Sequence, residues 1–496
     1  MAEEKSEILP VLKLSYFYLP PQLKRCFAYC ALFPKDYEFE KFHLVHLWMA
    51  EGLVQESKKD MLIEEVGSHY FNELLARSFF QKSSANASRF VMHDLFNDLA
   101  MSVAGDKCLR MDDKLKENLP RTISEKVRHL SFMRREYETY HRFNILDKVQ
   151  KLRTFLPLSV ETYYSPDSEG FLSHKILHHL LPKLSCLRVL SLNGYSIYDL
   201  PDSIGDLRHL RYLGLAQTLL KWLPESMSTL INLQVLILRG CCNLTKLPIS
   251  MENLINLRHL DIASTPELHE MPQGIAQLAS LRTLTKMTAS KTNGMRLKDL
   301  GNLSFLRGDI SIEELQNVAN VQDAMDANLS DKPSLNEIRL AWSEDYDDSR
   351  NKFFELELLN ALKPHENLST LEIKGHGELP FPSLISLTFE DMSNWEEWHG
   401  IEGVIKLPLL CELKIKGCSK LGFQKLTSLR FLFIAKCPKL EALPMDDQLK
   451  KLSVLMIKDC PLLKKRCLKN KGDYWPIIAD IPQVEIDDRS IYNPCP

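Results

Sequence analysis

Leucines recur every 23 or 24 residues in the middle of the chain, and this period predicts the architecture. Each repeat carries a second leucine three positions after the first, and four carry an apolar residue two positions later; the first leucines are Leu187, Leu210, Leu233, Leu257 and Leu281. This frame, at a period of about 20–29 residues, is the leucine-rich repeat signature. Because one repeat cannot bury its apolar side alone, the repeats are expected to stack into a horseshoe-shaped solenoid with parallel strands on its concave face.

The frame continues with looser spacing on both sides of this block. It begins near Val127 and returns in six later segments, whose first leucines are Leu335, Leu368, Leu384, Leu410, Leu429 and Leu452. In three of them a cysteine follows the strand: Cys418, Cys437 and Cys460. A small thiol suits the narrow turn after a strand, so we interpret these cysteines as structural rather than reactive.

The first hundred residues do not repeat and follow a helical pattern. Apolar spacing predicts helices at 8–14, 22–32, 41–50, 64–77 and 93–103, and the consecutive prolines at 20 and 21 separate the first two. Short strand-like segments at 79–81 and 89–92 predict a hairpin before the last helix. Helices combined with such a hairpin predict a winged-helix domain.

These patterns predict an α/β chain of six segments, a winged-helix domain followed by the solenoid. The segments are a winged helix (1–105), a linker (106–126), a regular repeat block (127–284), an irregular insertion (285–334), an irregular repeat block with its cap (335–486) and a tail (487–496).

Composition narrows the function classes. The net charge is −3, so nothing global indicates a nucleic-acid binder. No window approaches 18 apolar residues and the polar start is unlike a signal peptide, which predicts a cytoplasmic protein without a membrane span, with the nucleus and the membrane surface as alternatives. The 12 cysteines lack a disulfide framework and lack zinc-ligand spacing, so we expect reduced thiols and no metal site.

Catalytic motifs do not occur in the sequence. It contains no G-x-x-x-x-G-K-[ST], G-x-G-x-x-G, G-x-S-x-G or H-E-x-x-H, so we expect no catalytic residues and no enzyme. One histidine is a candidate for anion contact, because His93 precedes the last predicted helix of the first domain, where unpaired N–H groups point. The alternative is that Asp94 caps this helix and His93 packs against the wing.

An arginine follows the first leucine in four repeats. This arginine stripe consists of Arg188, Arg211, Arg258 and Arg282, with Gln234 interrupting it. Neighbouring strands lie about 4.8 Å apart, so the four charges share one edge of the sheet. The stripe is either a solvated rim or a docking surface for an acidic partner or domain.

The strand face itself is the expected recognition surface. Alternation directs the residues on either side of the second leucine away from the repeat core: Val189, Ser191, Tyr212, Gly214, Val235, Ile237, His259 and Asp261. Among these, Tyr212, His259 and Asp261 are the partner-binding candidates.

Long ordered motifs in the first hundred residues resemble the winged helix of plant disease-resistance NB-LRR receptors of the coiled-coil class. The motifs are Leu-Lys-Leu-Ser-Tyr (12–16), Leu-Pro-Pro-Gln-Leu-Lys-Arg-Cys-Phe-Ala-Tyr-Cys-Ala-Leu-Phe-Pro-Lys-Asp-Tyr (19–37), Leu-Trp-Met-Ala-Glu-Gly-Leu (47–53), Arg-Ser-Phe-Phe (77–80) and Met-His-Asp-Leu (92–95). The Leu-Pro-ended repeats and the Trp-Pro pair at 475–476 extend the resemblance to the rest of the chain.

The resemblance implies an ADP/ATP-switched immune receptor in which the histidine of Met-His-Asp, here His93, contacts the β-phosphate of ADP. In that family a coiled coil and a P-loop domain precede the winged helix. This chain has neither motif, so we expect it to bind no nucleotide alone. The implied partners are a pathogen effector or a guarded host protein. The repeats of such receptors fold back on the nucleotide-binding core, which suggests that the arginine stripe docks such a domain of a relative in trans.

Other functions remain open at this point. A chain without its switch domain is also compatible with a decoy, a regulator of full-length relatives or a degenerate gene product. A ubiquitin-ligase substrate adaptor pairs a helical module with repeats, but has no place for the Met-His-Asp wing. A DNA-binding regulator is disfavoured because residues 1–105 hold 11 Lys and Arg against 14 Asp and Glu, the wrong sign for a phosphate backbone.

Overall fold

The fold begins with helices and continues as stacked strands, in the order that the sequence predicts. The computed structural model describes residues 12–55, 61–84, 86, 88–111, 125–159, 170–342, 352–365, 367–368, 370–374, 386–390, 410–417, 428–443, 449, 451–468, 471–487 and 489–490. The expected helical residues 8–11, Leu384, Cys418 and tail residues 491–496 lie outside the described residues. Two units, Met1–Glu267 and Leu268–Pro496, make up the chain.

The N-terminal domain is a winged helix. After a helical stretch at 12–17, its helices are α1 (Pro21–Tyr29), α2 (Lys41–Glu51), α3 (Ile63–Ala76) and α4 (Asp94–Ala104). The predicted hairpin joins β2 (Gln81–Lys82) and β3 (Arg89–Val91), and β1 (Phe39–Glu40) pairs with the other side of β3. The sequence pattern did not predict β1, because a two-residue strand is too short to show alternation.

Apolar side chains fix these helices around one core. Phe27, Trp48, Phe71 and Phe79 are fully buried, and the rings of Phe27 and Phe79 meet edge to face at 4.9 Å. Gly52 ends α2 in the left-handed region at φ +80°, as a glycine C-cap does. Glu51, the last residue of α2, directly precedes this turn.

Parallel strands of the first unit continue the chain. Sheet neighbours follow the order β4 (Cys108–Met111), β5 (His129–Met133), β7 (Thr154–Leu158), β9 (Val189–Ser191), β10 (Tyr212–Gly214), β11 (Val235–Ile237) and β12 (His259–Asp261). Helix α5 (Tyr140–Phe143) and the paired strands β6 (Tyr137–Glu138) and β8 (Phe171–Leu172) lie between repeats. The linker expected at 106–126 is therefore corrected: it contains β4, which already pairs in parallel with β5.

In-register pairing stacks the repeat leucines. Leu190, Leu213, Leu236 and Leu260 face one another across β9 to β12, and each has no exposed surface. Short 3-10 helices at Asp202–Asp206 and Glu225–Thr229 begin directly after Leu-Pro pairs and return the chain to the next strand. The stacking that the repeat frame predicts is thus confirmed for these strands.

The second unit is also built from parallel strands, except that its last strand pairs antiparallel with the strand before it. It contains β13 (Thr283–Leu284) and the sheet β14 (Lys286–Thr288), β15 (Gly308–Glu313), β16 (Leu335–Ala341), β17 (Thr370–Lys374), β18 (Ser386–Glu390), β19 (Glu412–Lys416), β20 (Phe431–Ala435), β21 (Val454–Lys458), β22 (Gln483–Ile486) and β23 (Arg489–Ser490). Helices α6 (Val321–Asp326), α7 (Lys352–Ala361), α8 (Pro461–Arg466) and α9 (Trp475–Ile478) connect these strands.

The irregular insertion expected at 285–334 is corrected by this sheet. Strands β14 and β15 fall within it and pair in parallel, and β15 continues the pairing to β16. The segment therefore forms repeats whose leucine frame is degenerate, because isoleucine and methionine fill the buried positions of these strands: Met287, Ile310 and Ile312.

No helix in the described part of the chain combines the length and the apolar character that crossing a bilayer requires.

Candidate docking interface between winged helix and repeats

The winged helix and the first repeats share one apolar core. Three residues of the predicted recognition face, Val189, Tyr212 and Val235, are at most 2% exposed and belong to the same buried cluster as Trp48 of α2. Helix α2 lies against β9 and β10. We call the outward residues of β9 to β12 the docking face, because the chain's own winged helix packs on β9 and β10 and contacts His259 of β12.

Glu51, the last residue of α2, is surrounded by arginines of the repeats. Its carboxylate lies 3.1 Å from the guanidinium of Arg153 and 3.6 Å from that of Arg188, and its backbone carbonyl accepts a 2.6 Å hydrogen bond from Arg188. Burial raises the pKa of Glu51, while Arg188, Arg153 and Arg211 oppose that rise. Cations at a helix C-terminus also stabilise the helix dipole, so these arginines cap α2 as well as neutralising its carboxylate.

Glu64, in the first turn of α3, makes the second charged contact. Arg258 donates to both of its carboxylate oxygens, at 2.6 and 3.0 Å, and the Nε2 of His259 lies 3.2 Å from one of them. Burial alone raises the pKa of Glu64, but the hydrogen bonds from His259 and Arg258 outweigh it and hold this pKa well below its ordinary value. A bidentate pair of this kind fixes orientation as well as charge.

Histidines line the same interface in neutral form. Burial lowers the pKa of His43 to about 4. Burial also holds the pKa of His46 well below its ordinary value, and His259, whose ring centroid lies 4.2 Å away, adds to that effect. Burial, together with Arg153 and other cations, lowers the pKa of His129 to about 3. Protonation of any of these rings would place an extra charge in a low-dielectric contact.

Polar contacts extend the interface toward the earliest repeats. The hydroxyl groups of Tyr29 and Thr154 are 3.2 Å apart, and Ser131 donates a 2.5 Å hydrogen bond to the carbonyl of Leu32. Both contacts are buried and join residues about a hundred positions apart in the chain. The interface therefore spans β5 to β12.

The structure decides between the two interpretations of the arginine stripe. Arg188 and Arg258 bind acidic residues of the winged helix, and Arg211 lies close to the turn at Gly52, where an added Cβ would be 3.3 Å from its guanidinium. The interpretation of these three arginines as a solvated rim is therefore wrong. Arg282 belongs to the second unit, where its guanidinium stacks 4.3 Å from the ring centroid of Phe305.

The sequence also predicts that the three partner-binding candidates lie on an open face, and this prediction is wrong for two of them. Tyr212 and His259 are only 2% and 3% exposed. Asp261 is half-buried and pairs at 2.9 Å with Arg239 of the neighbouring repeat. Alternation correctly predicted that these side chains leave the repeat core, but could not show that another domain of the chain covers them.

His93 lies at the start of α4 and remains exposed. Its Nδ1 accepts a 3.3 Å hydrogen bond from the N–H of Leu95, so the histidine itself caps the helix. The alternative in which Asp94 is the cap is therefore wrong. Asp94 is the first helical residue and lies 4.0 Å from the ammonium of Lys35.

Sequence reasoning missed Glu51, Glu64 and Arg153. One signal was available for Glu51: a carboxylate just before a glycine C-cap is unfavourable for the helix dipole, which points to a compensating cation. Glu64 gave no such signal, because acidic residues are common in the first turn of a helix. Arg153 lies in a loosely spaced repeat outside the regular stripe.

Two family descriptions match this chain. The winged helix domain of disease resistance proteins matches residues 32–100, and the R13L1/DRL21 leucine-rich repeats match residues 297–418. The first match covers α2, α3 and the wing. The second begins within the segment in which the leucine frame is degenerate, at residue 297, and continues into the irregular repeats up to residue 418.

Three relatives extend the similarity to most of the chain. A disease resistance protein of Arabidopsis thaliana is 42% identical over 93% of this chain and 34% of its own length. The RPP13-like protein 1 of Arabidopsis thaliana is 42% identical over 84% of this chain and 40% of its own. The disease resistance protein RGA2 of Solanum bulbocastanum is 39% identical over 77% of this chain and 35% of its own length.

The chain thus spans about a third of the length of the curated relatives that it matches. The matched winged helix, the matched repeats and the relatives agree with one another along the sequence. This chain therefore belongs to the family of plant disease resistance proteins, whose winged helix and leucine-rich repeats it carries.

Proposed function

We propose that this chain serves a plant immune receptor by coupling protein recognition on its repeats to the position of its winged helix. Similarity to disease resistance proteins supports the receptor role. The observation that carries the coupling is the docking interface, in which Glu51 and Glu64 of the winged helix are buried against Arg188 and Arg258. A partner that moves these repeats then moves the winged helix with them.

The chemistry of the interface suits a contact that opens and closes as a unit. Removing one partner of a buried ion pair leaves an uncompensated charge, so the contact resists partial opening. Once open, both the carboxylates and the guanidinium groups regain water, which lowers the cost of the open state. We propose, by analogy with the family, that the event coupled to the position of the winged helix is the recognition of a pathogen effector or a guarded host protein.

Charge reversal tests the coupling. Replacing Arg188, Arg211 and Arg258 together by Glu places like charges opposite Glu51 and Glu64, and should release the winged helix. We expect faster hydrogen exchange in α2 and α3 and new proteolytic cleavage between residues 53 and 63. The stacked leucines of β9 to β12 should keep their protection, because the stripe lies outside the leucine core.

A matched variant replaces the exposed lysines Lys221, Lys246 and Lys291 by Glu and should leave exchange in α2 unchanged. A second control combines Arg258→Glu with Glu64→Arg, which restores opposite charges and should recover most of the protection. Unchanged exchange in α2 and α3 of the triple arginine variant would contradict the proposal.

For nucleotide, we propose that His93 contributes only together with a P-loop domain, and that this chain alone holds neither ADP nor ATP. A single histidine supplies one contact, whereas tight nucleotide binding needs a set of phosphate-binding N–H groups. The arginine stripe is proposed to act on the chain's own winged helix rather than on the nucleotide-binding domain of a relative in trans.

A further inference from the structure

Imidazole rings occur on both sides of the docking interface. His43 and His46 belong to α2, His129 belongs to β5 and His259 belongs to β12. Their spacing along the sequence is irregular, so only the fold brings them to one contact between the winged helix and the repeats.

His46 lies between β12 and α3. Its ring centroid is 4.2 Å from that of His259, and the Nε2 of His259 is 3.2 Å from the carboxylate of Glu64. Arg258 already donates two hydrogen bonds to the same carboxylate. A proton on His46 would therefore lie beside a second imidazole, in a cluster whose carboxylate is already paired.

His43 lies one turn earlier in α2 and faces an aromatic ring. The ring centroid of Tyr212, on β10, is 6.0 Å away. The Nε2 atom of His43 is buried and has no hydrogen-bond partner among the described residues. Protonation of this ring would place a charge in the interface without an acceptor for it, which is unfavourable in a buried contact.

His129 lies near several cations. Its Nδ1 is 3.1 Å from the hydroxyl oxygen of Thr154, and its ring meets that of Tyr29 edge to face at 5.2 Å. The charged groups that oppose its protonation come from three segments of the chain: Arg153, Arg188, Arg128 and Lys107. A proton on His129 would therefore add a like charge to this group.

The interface already has more cations than carboxylates. The contacts described above set four guanidinium groups against two carboxylates, namely Arg153, Arg188, Arg211 and Arg258 against Glu51 and Glu64. Each additional imidazolium would increase the positive excess in a contact that excludes water.

The two carboxylates respond differently to acid. Glu64 keeps its charge near neutral pH, because its pKa is held well below its ordinary value. Glu51 acts against the histidines, since burial raises its pKa and the docked carboxylate takes up a proton more readily than an exposed one.

We propose that the docking interface is a proton-sensitive switch: as the pH falls from about 7.5 toward 6, His43, His46 and His129 take up protons and the winged helix leaves the docking face. This inference rests on the proposed function, in which the docked winged helix is one state of the coupling, and it adds a regulator of that contact. The rings are neutral when docked and regain an ordinary pKa of about 6.5 once exposed, so acid favours separation.

Hydrogen exchange of the full chain at about pH 7.5 and pH 6 tests the switch, with labelling times adjusted to the pH dependence of intrinsic exchange. Each histidine that gains a proton on opening should favour the open state about fourfold over this range. Three histidines should therefore increase the opening of α2 and α3 about 50-fold. Strands β20 and β21, which belong to the second unit, serve as the internal reference.

Glutamine replacements identify the groups that respond. His43→Gln, His46→Gln and His129→Gln together should remove the pH response, and each single replacement should reduce it about fourfold. The single variants keep the test available if the triple variant does not fold, which circular dichroism checks. A matched variant replaces three exposed histidines and should keep the wild-type response: His141→Gln, His179→Gln and His209→Gln.

Three outcomes would overturn the inference. Exchange in α2 and α3 that follows the reference strands at both pH values would show that no proton is linked to docking. A response that persists in the triple histidine variant would assign it to other groups, and slower exchange at the lower pH would show that Glu51 dominates.

The charge-reversal variant of the arginine stripe separates this inference from the proposed function. If that variant releases the winged helix at about pH 7.5 while the wild-type chain shows no response to pH, the coupling stands and the proton-sensitive switch does not.

Discussion

The docking face and the outward face of strands β19 to β21 are built by the same strand geometry but have different neighbours. On β9 to β12 the outward side chains of Val189, Tyr212, Val235 and His259 are buried, and arginines of these repeats contact Glu51 and Glu64 of the winged helix. On β19 to β21 the outward residues other than Ala435 remain half-exposed or exposed. A leucine-rich repeat frame thus creates a strand face without deciding whether that face binds a partner or another domain of the chain.

The largest effect is expected from the repeat core beneath the docking face. Leu213→Ala removes a fully buried side chain and should lower the free energy of unfolding by about 2–5 kcal/mol. Because a solenoid couples nearest neighbours, hydrogen exchange should rise in β9 to β11 and in the α2 packed on them.

Leu432→Ala makes the same change beneath the outward face of β19 to β21, in the fully buried centre of β20. It should cost a similar free energy but leave exchange in α2 unaffected. A uniform rise of exchange along 127–486 in either variant would contradict local coupling.

The two buried carboxylates of the docking interface should differ in their response to neutralisation. Glu64→Gln should cost roughly 2–4 kcal/mol, because Arg258 then loses its bidentate partner inside the contact. Glu51→Gln should cost less, because burial holds the pKa of Glu51 above its ordinary value and the charged form is already penalised. Denaturant unfolding measures both, and equal losses would show that the opposite pKa shifts do not govern the interface.

Acid should loosen the docking interface. The pKa of His43 is lowered to about 4 and that of His129 to about 3, so the undocked state takes up protons first, near pH 6.5. The stabilisation that the neutral histidines give to the docked state is therefore fully present above this pH. It is lost as the pH falls toward the folded pKa, by about 1 kcal/mol per histidine between pH 7 and 5.5.

Glu64 adds to the pH dependence only below about pH 4.5, because its folded pKa lies below its ordinary value. Its stabilisation is fully present above that pH and is lost as the pH falls toward the folded pKa. Exchange in α2 and α3 followed from pH 7 to 5.5 tests the histidines. His43→Gln should reduce the pH dependence, and an unchanged slope in that variant would exclude His43 as a contributor.

A smaller effect is expected at the turn that ends α2. Gly52 has φ +80°, and a methyl group there would lie 3.3 Å from the guanidinium of Arg211. Gly52→Ala should therefore cost about 1–2 kcal/mol through backbone strain. Thermal unfolding should show a lower transition temperature, and Gly52→Ala combined with Arg211→Ala should separate the backbone cost from the contact with the stripe.

No effect is expected from nucleotide. Calorimetric titration of this chain with ADP or ATP should give no saturable heat, and neither nucleotide should change exchange in α4 next to His93. A micromolar dissociation constant would show that the chain holds nucleotide without the P-loop domain.

The sequence by itself determined the elements and the frame. Helix periodicity predicted α1 to α4, and the leucine spacing predicted the strands from β9 to β12, because both signals depend on residues close together in the chain. Strands β14 and β15 were not predicted, because the leucine frame is degenerate in residues 285–334. Isoleucine and methionine are buried there as well as leucine would be, but they do not mark a repeat.

Only the tertiary structure decided what covers the docking face. Glu64 and Arg258 are 194 positions apart, and no local pattern relates a carboxylate in the first turn of a helix to a guanidinium on a distant strand. Strand alternation fixes the direction of Tyr212 and His259 within each repeat, whereas their burial depends on packing between two domains. Burial, and the charge pairs and pKa shifts that follow from it, are properties of that packing.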